Sequence, residues 1–389
     1  MNFDQLIERR GTDCAKYDAY AEHGHNKDIL PLWVADMDFR APECVIEALH
    51  KAVDHGIFGY SIRSDRYFPA LQKWFAAYFD WEIQESWLHH TPGVVFALSA
   101  AIRATTEKGD NVLVLPPVYY PFYRVIVDND RKIVKSELIY ENGRYTMNFA
   151  DIEKKIVSSN VKAMIFCSPH NPVGRVWTVE ELQTLGAICK KHNVAVISDE
   201  IHCDFAFPEF PHTPFAKACP DLADNTIVCT AASKTFNLAG LQASNIFIPG
   251  EQLRKRFKKE LDIAAYHDVN RLGAVAATAA YEGGAEWLAS CKDYMRQNLN
   301  YVRNFLAARL PKIKLVEPEG TYLAWLDCSG LGLSKEALDD LIINKANLWL
   351  DTGSIFGECA EQFQRIVLAC PRSIVEKAME QLANAVDSL

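Results

Sequence analysis

The chain has 389 residues, ordinary apolar and charged fractions and a net charge of −9. The length predicts two domains, and the negative charge argues against a nucleic-acid or anionic-membrane surface as the main role. The eleven cysteines are scattered without a Cys-x-x-Cys pair, which predicts reduced thiols in the cytoplasm and excludes a disulfide framework or zinc site.

In chain order, Met1 to Arg10 lacks the apolar core of a signal peptide, and residues 1–40 read as irregular. Pro42 opens a helix to about His55, with Cys44, Ile46, Leu49 and Val53 at helical spacing. A second helix is predicted from Tyr67 to Phe79, and a third from Val94 to Thr106 after Thr91-Pro92-Gly93. Strands and helices then alternate. Strands are expected at Asn111–Leu115, Lys132–Leu138, Val161–Cys167, Asn193–Ser198, Thr226–Cys229 and Ser244–Ile248, and a capping box at Thr178 opens a helix to His192. This alternation predicts an α/β fold with a mostly parallel sheet sandwiched by helices.

After Gly283-Gly284 the pattern changes to a smaller α+β unit. It has a long helix from Ala285 to Leu310, strands near 312–316, 321–326, 347–350 and 364–369, and helices at 335–344 and 373–388. The expected division is an N-terminal segment (1–45) docking on the small domain, a large domain (46–284) and a small domain (285–389). The longest apolar runs, near Gly93–Ile102 and Leu272–Ala280, are too short to span a bilayer. The basic run Arg254–Lys259 lies in a helical pattern and reads as a solvated face. His23/His25 and His89/His90 lack metal spacing, so no metal is expected.

The chemistry gathers at strand ends, where open α/β sheets bind ligands. The strand at Asn111 ends in Pro116-Pro-Val-Tyr-Tyr120, and that at Val161 in Ser168-Pro-His-Asn-Pro-Val-Gly-Arg175. The strand at Asn193 ends in Asp199-Glu-Ile-His202, and that at Thr226 leads to Ser233-Lys234. A lysine between two apolar strands is costly unless its charge is neutralised or used, and one use is a Schiff base with a carbonyl. A lysine, an acid, an amide and an aromatic ring are thus expected at one rim of one sheet.

That set resembles the fold-type I pyridoxal-phosphate enzymes of the aspartate aminotransferase superfamily. Leu32-Trp-Val-Ala-Asp-Met-Asp-Phe39, Ser168–Trp177, Asp199–Asp204, Ser233–Leu241 and Ala369–Ser373 resemble the MalY/PatB branch of cystathionine β-lyases, or carbon–sulfur lyases. The resemblance spans nearly the whole chain. It implies pyridoxal 5′-phosphate on Lys234, with Asp199 at the pyridine nitrogen, Asn171 at the ring oxygen and Tyr119 stacked on the ring; Tyr120 is the other candidate for the stack. It implies a phosphate cradle from Gly93, Val94, Val95 and Ser233, and His202 either supporting Asp199 or structural. Tyr60 would reach the cofactor of a neighbouring subunit, so a homodimer is implied. Arg365 would fork the substrate carboxylate, with Ala35 and Asp36 nearby.

Many aminotransferases carry a basic residue eight positions after the lysine, where this chain has Gln242, and Ala231 replaces a serine three positions before it. A less charged phosphate site favours the lyase branch. The expected reaction is β-elimination on L-cystathionine or a related sulfur amino acid. The rival expectations are an aminotransferase of the same fold and a cofactor-holding regulatory protein that acts through a protein partner.

Overall fold

The structure is a computed structural model and describes all 389 residues. Its centre is a seven-stranded sheet. The strands, in chain order, are β1 (Leu88–Thr91), β2 (Asn111–Val114), β3 (Lys132–Lys135), β4 (Val161–Cys167), β5 (Ala195–Asp199), β6 (Thr226–Thr230) and β7 (Ser244–Phe247). Their order across the sheet is β1-β7-β6-β5-β4-β2-β3. β2 to β6 pair in parallel, and β7 runs antiparallel to both of its neighbours.

The two-residue period of the strands divides the interior into two layers. Leu113, Met164, Phe166 and Val196 pack on one face with Leu182, Leu185 and Ile152. Val112, Val114, Ala163, Ile165, Ile197 and Ile227 pack on the other with Leu98, Ala101, Phe122 and Phe257. Covering both faces is why these strands read as continuous apolar runs.

The C-terminal part builds a second sheet from β8 (Lys314–Val316), β9 (Leu323–Asp327), β10 (Asp351–Thr352) and β11 (Phe363–Val367), in the order β8-β9-β11-β10 and antiparallel throughout. The long helix Ala285–Arg309 and the last helix Arg372–Asp387 cover it. Leu30–Pro31, near the N-terminus, pairs in parallel with Leu348–Trp349.

Several elements differ from the sequence expectation. β1 was not anticipated, because Leu-His-His-Thr has no apolar alternation; pairing with β7 makes it a strand. The helices Pro121–Asp128 and Phe149–Ser158 and the hairpin Ile139–Glu141/Arg144–Thr146 were also missed, being short and half exposed. The strand expected at Lys132–Leu138 stops at Lys135. The basic run lies on the helix Glu251–Ile263, which buries Leu253, Phe257 and Leu261.

One interlock joins the two sheets. Gly174 has φ +73°, and a Cβ there would lie 2.7 Å from Cβ of Pro318, so the loop after β4 passes too close for any side chain. Next to it, buried Arg175 donates from Nε to Glu319 at 2.8 Å and forks onto Glu181. Glu319 also accepts from the backbone N–H of Val176 at 2.9 Å. Removing Glu319 leaves the Nε–H of Arg175 and the N–H of Val176 buried without an acceptor, which costs about 3 kcal/mol. Urea unfolding should therefore show Glu319→Ala destabilised by about that much, whereas Arg144→Gln, which removes an exposed partner of the same carboxylate, should change stability by less than about 1 kcal/mol.

Candidate active site

The carboxyl ends of β2, β4, β5 and β6 open on a cavity of about 250 Å³, closed on its far side by the second sheet. β5 delivers Asp199 at its last residue, and the turn after it brings His202. The short helix Ala232–Thr235 after β6 carries Ser233 and Lys234. Asn171 comes from the loop after β4, Tyr119 and Tyr120 from the turn after β2, and Arg365 from the middle of β11. Gly93, Val94 and Val95 form the start of the helix Val94–Thr105, and Ala35 completes the wall. Asp36 stands one residue beyond Ala35 and does not line the cavity. Tyr60 is fully exposed and lies in a separate groove with Arg66 and Arg271.

The amine of Lys234 donates to the carbonyl of Ala35 at 2.5 Å, and the hydroxyl of Tyr322 donates to the same oxygen at 3.2 Å. Burial lowers the pKa of Lys234 to about 8; Arg365 pushes it further down, while Asp36 and Asp199 oppose the fall. Burial raises Asp199 to about 7, against the backbone N–H of Ile201, and Glu200 adds to the rise. No basic side chain lies within salt-bridge distance of Asp199. His202 is driven down to about 3 by burial and by the charges of Lys234 and Arg365, so its imidazole is neutral. Its Nδ1 is buried without a partner, and its ring meets Tyr322 edge-on at 5.8 Å; it makes no hydrogen bond to Asp199.

The guanidinium of Arg365 is held on several sides. Nη1 donates to Oδ1 of Asn171 at 3.0 Å, and Nη2 donates to the carbonyl of Trp33 at 2.6 Å and to Asp351. Asp351 on β10 is directly opposite Arg365 in the register of the second sheet. The Nε–H is buried and unpaired.

Other supports were not read from the sequence. Asn237, on the turn that follows Lys234, accepts from the N–H of Met37 at 3.3 Å and donates to the carbonyls of Met37 and Phe39 at 3.0 and 2.9 Å. Buried Asp204 accepts from Thr235 at 2.6 Å and from the indole of Trp74 at 2.9 Å. Asp204 and Asn237 fall within motifs noted in the sequence, but their partners are remote in the chain, so the contacts themselves left no local signal.

These residues fit pyridoxal phosphate. Asp199 is a buried carboxylate without a cation, which a protonated pyridine nitrogen would supply. Gly93 caps its helix without a side chain, so the first amides of Val94–Thr105 remain donors for an anion. Asn171 spends its oxygen on Arg365, which leaves its amide N–H₂ to donate toward the cavity. Gln242 lines the cavity where a basic residue would add charge. Tyr119 and Tyr120 both form the wall, with ring centres 5.4 Å apart.

The chain is similar over nearly its full length to known proteins. It is 41% identical over 386 residues to cystathionine beta-lyase PatB of Bacillus subtilis, covering 99% of this chain and 100% of that one. The solved structure of cystalysin from Treponema denticola, which contains a pyridoxal 5′-phosphate cofactor, superposes with a TM-score of 0.96 at 38% identity over 100% of this chain and 99% of that one. A PLP-bound C-S lyase from Staphylococcus hominis gives 0.93 at 36% identity, covering 99% and 98%. The family model for aminotransferase class I and II matches residues 27–382. With that match spanning both sheets and the cavity between them, the chain belongs to the aminotransferase class I and II family.

Proposed function

We propose that the chain is a pyridoxal-phosphate-dependent carbon–sulfur β-lyase that cleaves L-cystathionine, or related cysteine S-conjugates, to a thiol, pyruvate and ammonia. The observation that carries this is that the buried amine of Lys234 and the buried carboxylate of Asp199, which has no salt-bridge partner, line one cavity. The lyase names of PatB and of the Staphylococcus hominis enzyme favour this reaction.

Bound pyridoxal phosphate supplies an electron sink for the pair left at the substrate's Cα. Lys234 would hold the cofactor and take the proton from the substrate's Cα; a pKa of about 8 suits a base working near neutral pH. Asp199 would keep the pyridine nitrogen protonated by its charge, and Asn171 would donate to the ring oxygen. Gly93, Val94 and Val95 offer backbone N–H groups to the phosphate, and Ser233 adds a hydroxyl. Arg365, fixed by Asp351, Asn171 and the Trp33 carbonyl, orients the substrate through its α-carboxylate. Ala35 bounds the same space, with Asp36 behind it. Tyr119 would stack on the ring, and its hydroxyl, kept protonated by burial, would offer a hydrogen bond to the departing thiolate. His202 stays neutral and lines the cavity.

The same residues would serve an aminotransferase up to the loss of the Cα proton. A lyase then releases the thiolate from the substrate's Cβ, whereas an aminotransferase needs a keto acid to complete its cycle. With cystathionine and no keto acid, homocysteine, pyruvate and ammonia should be released continuously in equal amounts. A single turnover that resumes only on adding a keto acid would reject the lyase assignment.

The homodimer belongs to this proposal. Ile57, Phe58, Tyr60 and Ile62 form an exposed apolar stretch without regular structure, and Tyr60 is remote from its own chain's cavity. Burying that stretch against a second copy would bring Tyr60 to the partner's phosphate. Mixing inactive Lys234→Ala with weakened Tyr60→Phe should then restore activity, because each hybrid dimer has one intact site. No regain after subunit exchange would place Tyr60 in its own chain's service. The cytoplasm is the proposed location, supported by eleven cysteines that all remain thiols.

Asp199 also links function to stability. Its folded pKa is raised from 3.8 to about 7, so between those values the fold holds a proton that the unfolded chain has lost. The group therefore costs stability increasingly as pH rises through this window, and fully above it. At about 1.4 kcal/mol per unit, Asp199→Asn should stabilise the cofactor-free protein by up to about 4 kcal/mol above pH 7, with the gain fading below about pH 4. Urea titrations at the two pH extremes measure this. Turnover of the same variant should fall by orders of magnitude.

A further inference from the structure

The segment that covers Lys234 is tied down by charges far from it in sequence. Arg9 donates from Nη2 to Asp36 and from Nη1 to Asp38, both at 2.7 Å, and Nη1 also reaches the carbonyl of Met37 at 3.0 Å. Fully buried Lys16 pairs with Asp38 at 2.7 Å and donates to the carbonyl of Asp36 at 3.0 Å. Tyr17 donates its hydroxyl to Asp38 at 3.1 Å. Two cations thus face two carboxylates across residues 36–38. Ala35, one residue earlier, carries the carbonyl that accepts from Lys234. Asn237 ties residues 37–39 to the turn that holds the lysine.

We propose that Arg9 is a positioning residue for Lys234: by pairing with Asp36, the residue after the carbonyl that accepts from that amine, it masks this carboxylate and so sets the proton affinity of the base. The inference rests on the assignment of Lys234 as the cofactor-holding base. Asp38 has a second cation in Lys16, so Arg9 is the partner that Asp36 depends on. Without it, the strap next to the amine carries an uncompensated negative charge.

The charges that face Lys234 come from every element around it. The strap brings Asp36, with Arg9, Asp38, Lys16 and Tyr17 behind it. β5 and the turn after it bring Asp199 and His202, while the Glu200 carboxylate is engaged by Ser198, His212 and the N–H of Phe215. β11 brings Arg365 with Asp351 at its back, and Tyr119 and Tyr322 close the remaining sides. Asp36 raises the pKa of Lys234 against the burial that lowers it, so unmasking Asp36 acts in the raising direction.

The test is competitive acetylation of the full-length chain without cofactor, using acetic anhydride across a pH series. The Lys234 peptide is quantified by mass spectrometry against exposed Lys51. Arg9→Gln should raise the Lys234 midpoint by about half a pH unit or more. Arg9→Lys, which keeps the charge, should leave it in place. Asp36→Asn should lower it, and the double variant Arg9→Gln/Asp36→Asn should follow Asp36→Asn. An unmoved midpoint in Arg9→Gln overturns the proposal. So does a double variant that rises like Arg9→Gln, because water entering a loosened strap would then be the cause. The lyase reading fails separately, in the product assay, since the labelling needs neither substrate nor cofactor.

Discussion

The structure depends on keeping Lys234 and Asp199 buried in one cavity without letting them pair. Each is displaced toward its neutral form by the loss of water, and neither has a salt-bridge partner. A direct contact would restore both charges and return the lysine toward its ordinary, strongly protonated state. The surrounding fold holds them apart. Asp199 ends a strand fixed on both sides by parallel neighbours, and Lys234 stands on a one-turn helix held by Asp204 through Thr235 and by the strap through Asn237. Two desolvated ionisable groups cost the isolated chain stability. A ligand that takes up both recovers that cost, since whatever binds the fold and not the unfolded chain stabilises it.

The second constraint is that the cavity has no floor of its own. The first sheet supplies the cofactor-facing groups, while Arg365 and Tyr322 come from the second sheet and Ala35 from the N-terminal strap. The close passage at Gly174–Pro318 and the buried Arg175–Glu319 pair fix one sheet against the other at the loop that also carries Asn171. Asn171 in turn accepts from Arg365. The group assigned to the cofactor and the group assigned to the substrate are therefore joined by a hydrogen bond that spans the two sheets.

Much of this was legible in the sequence. The buried parallel strands announced themselves as apolar runs, and the residues that follow them, Asn171, Asp199 and Lys234, do converge. What stayed hidden depends on register and on long-range docking. Leu88–Thr91 becomes a strand only because β7 offers it an edge. Asp351 meets Arg365 through antiparallel pairing, not through spacing, and the Trp33 and Ala35 carbonyls act as acceptors whatever side chains they carry. Arg9 lies in a stretch that reads as irregular, with its partners 27 and 29 residues away. Tyr119 and Tyr120 were not separable by sequence, and both do line the wall.

The arrangement of charge explains why so many remote residues bear on one amine. A buried lysine with Asp199 as its sole influence would be pulled up toward its charged form, and one with Arg365 alone would be pushed down. The cavity places both at a distance, and the two effects oppose each other. Asp36 adds to the upward pull, and the paired cation behind it limits that. The result is an amine that can lose its proton near neutral pH while its acceptor, the Ala35 carbonyl, keeps it aimed. The gap between that amine and the unpaired carboxylate of Asp199 has a cation-seeking end and a carbonyl-seeking end. A planar ring that bears an aldehyde and a basic nitrogen answers both.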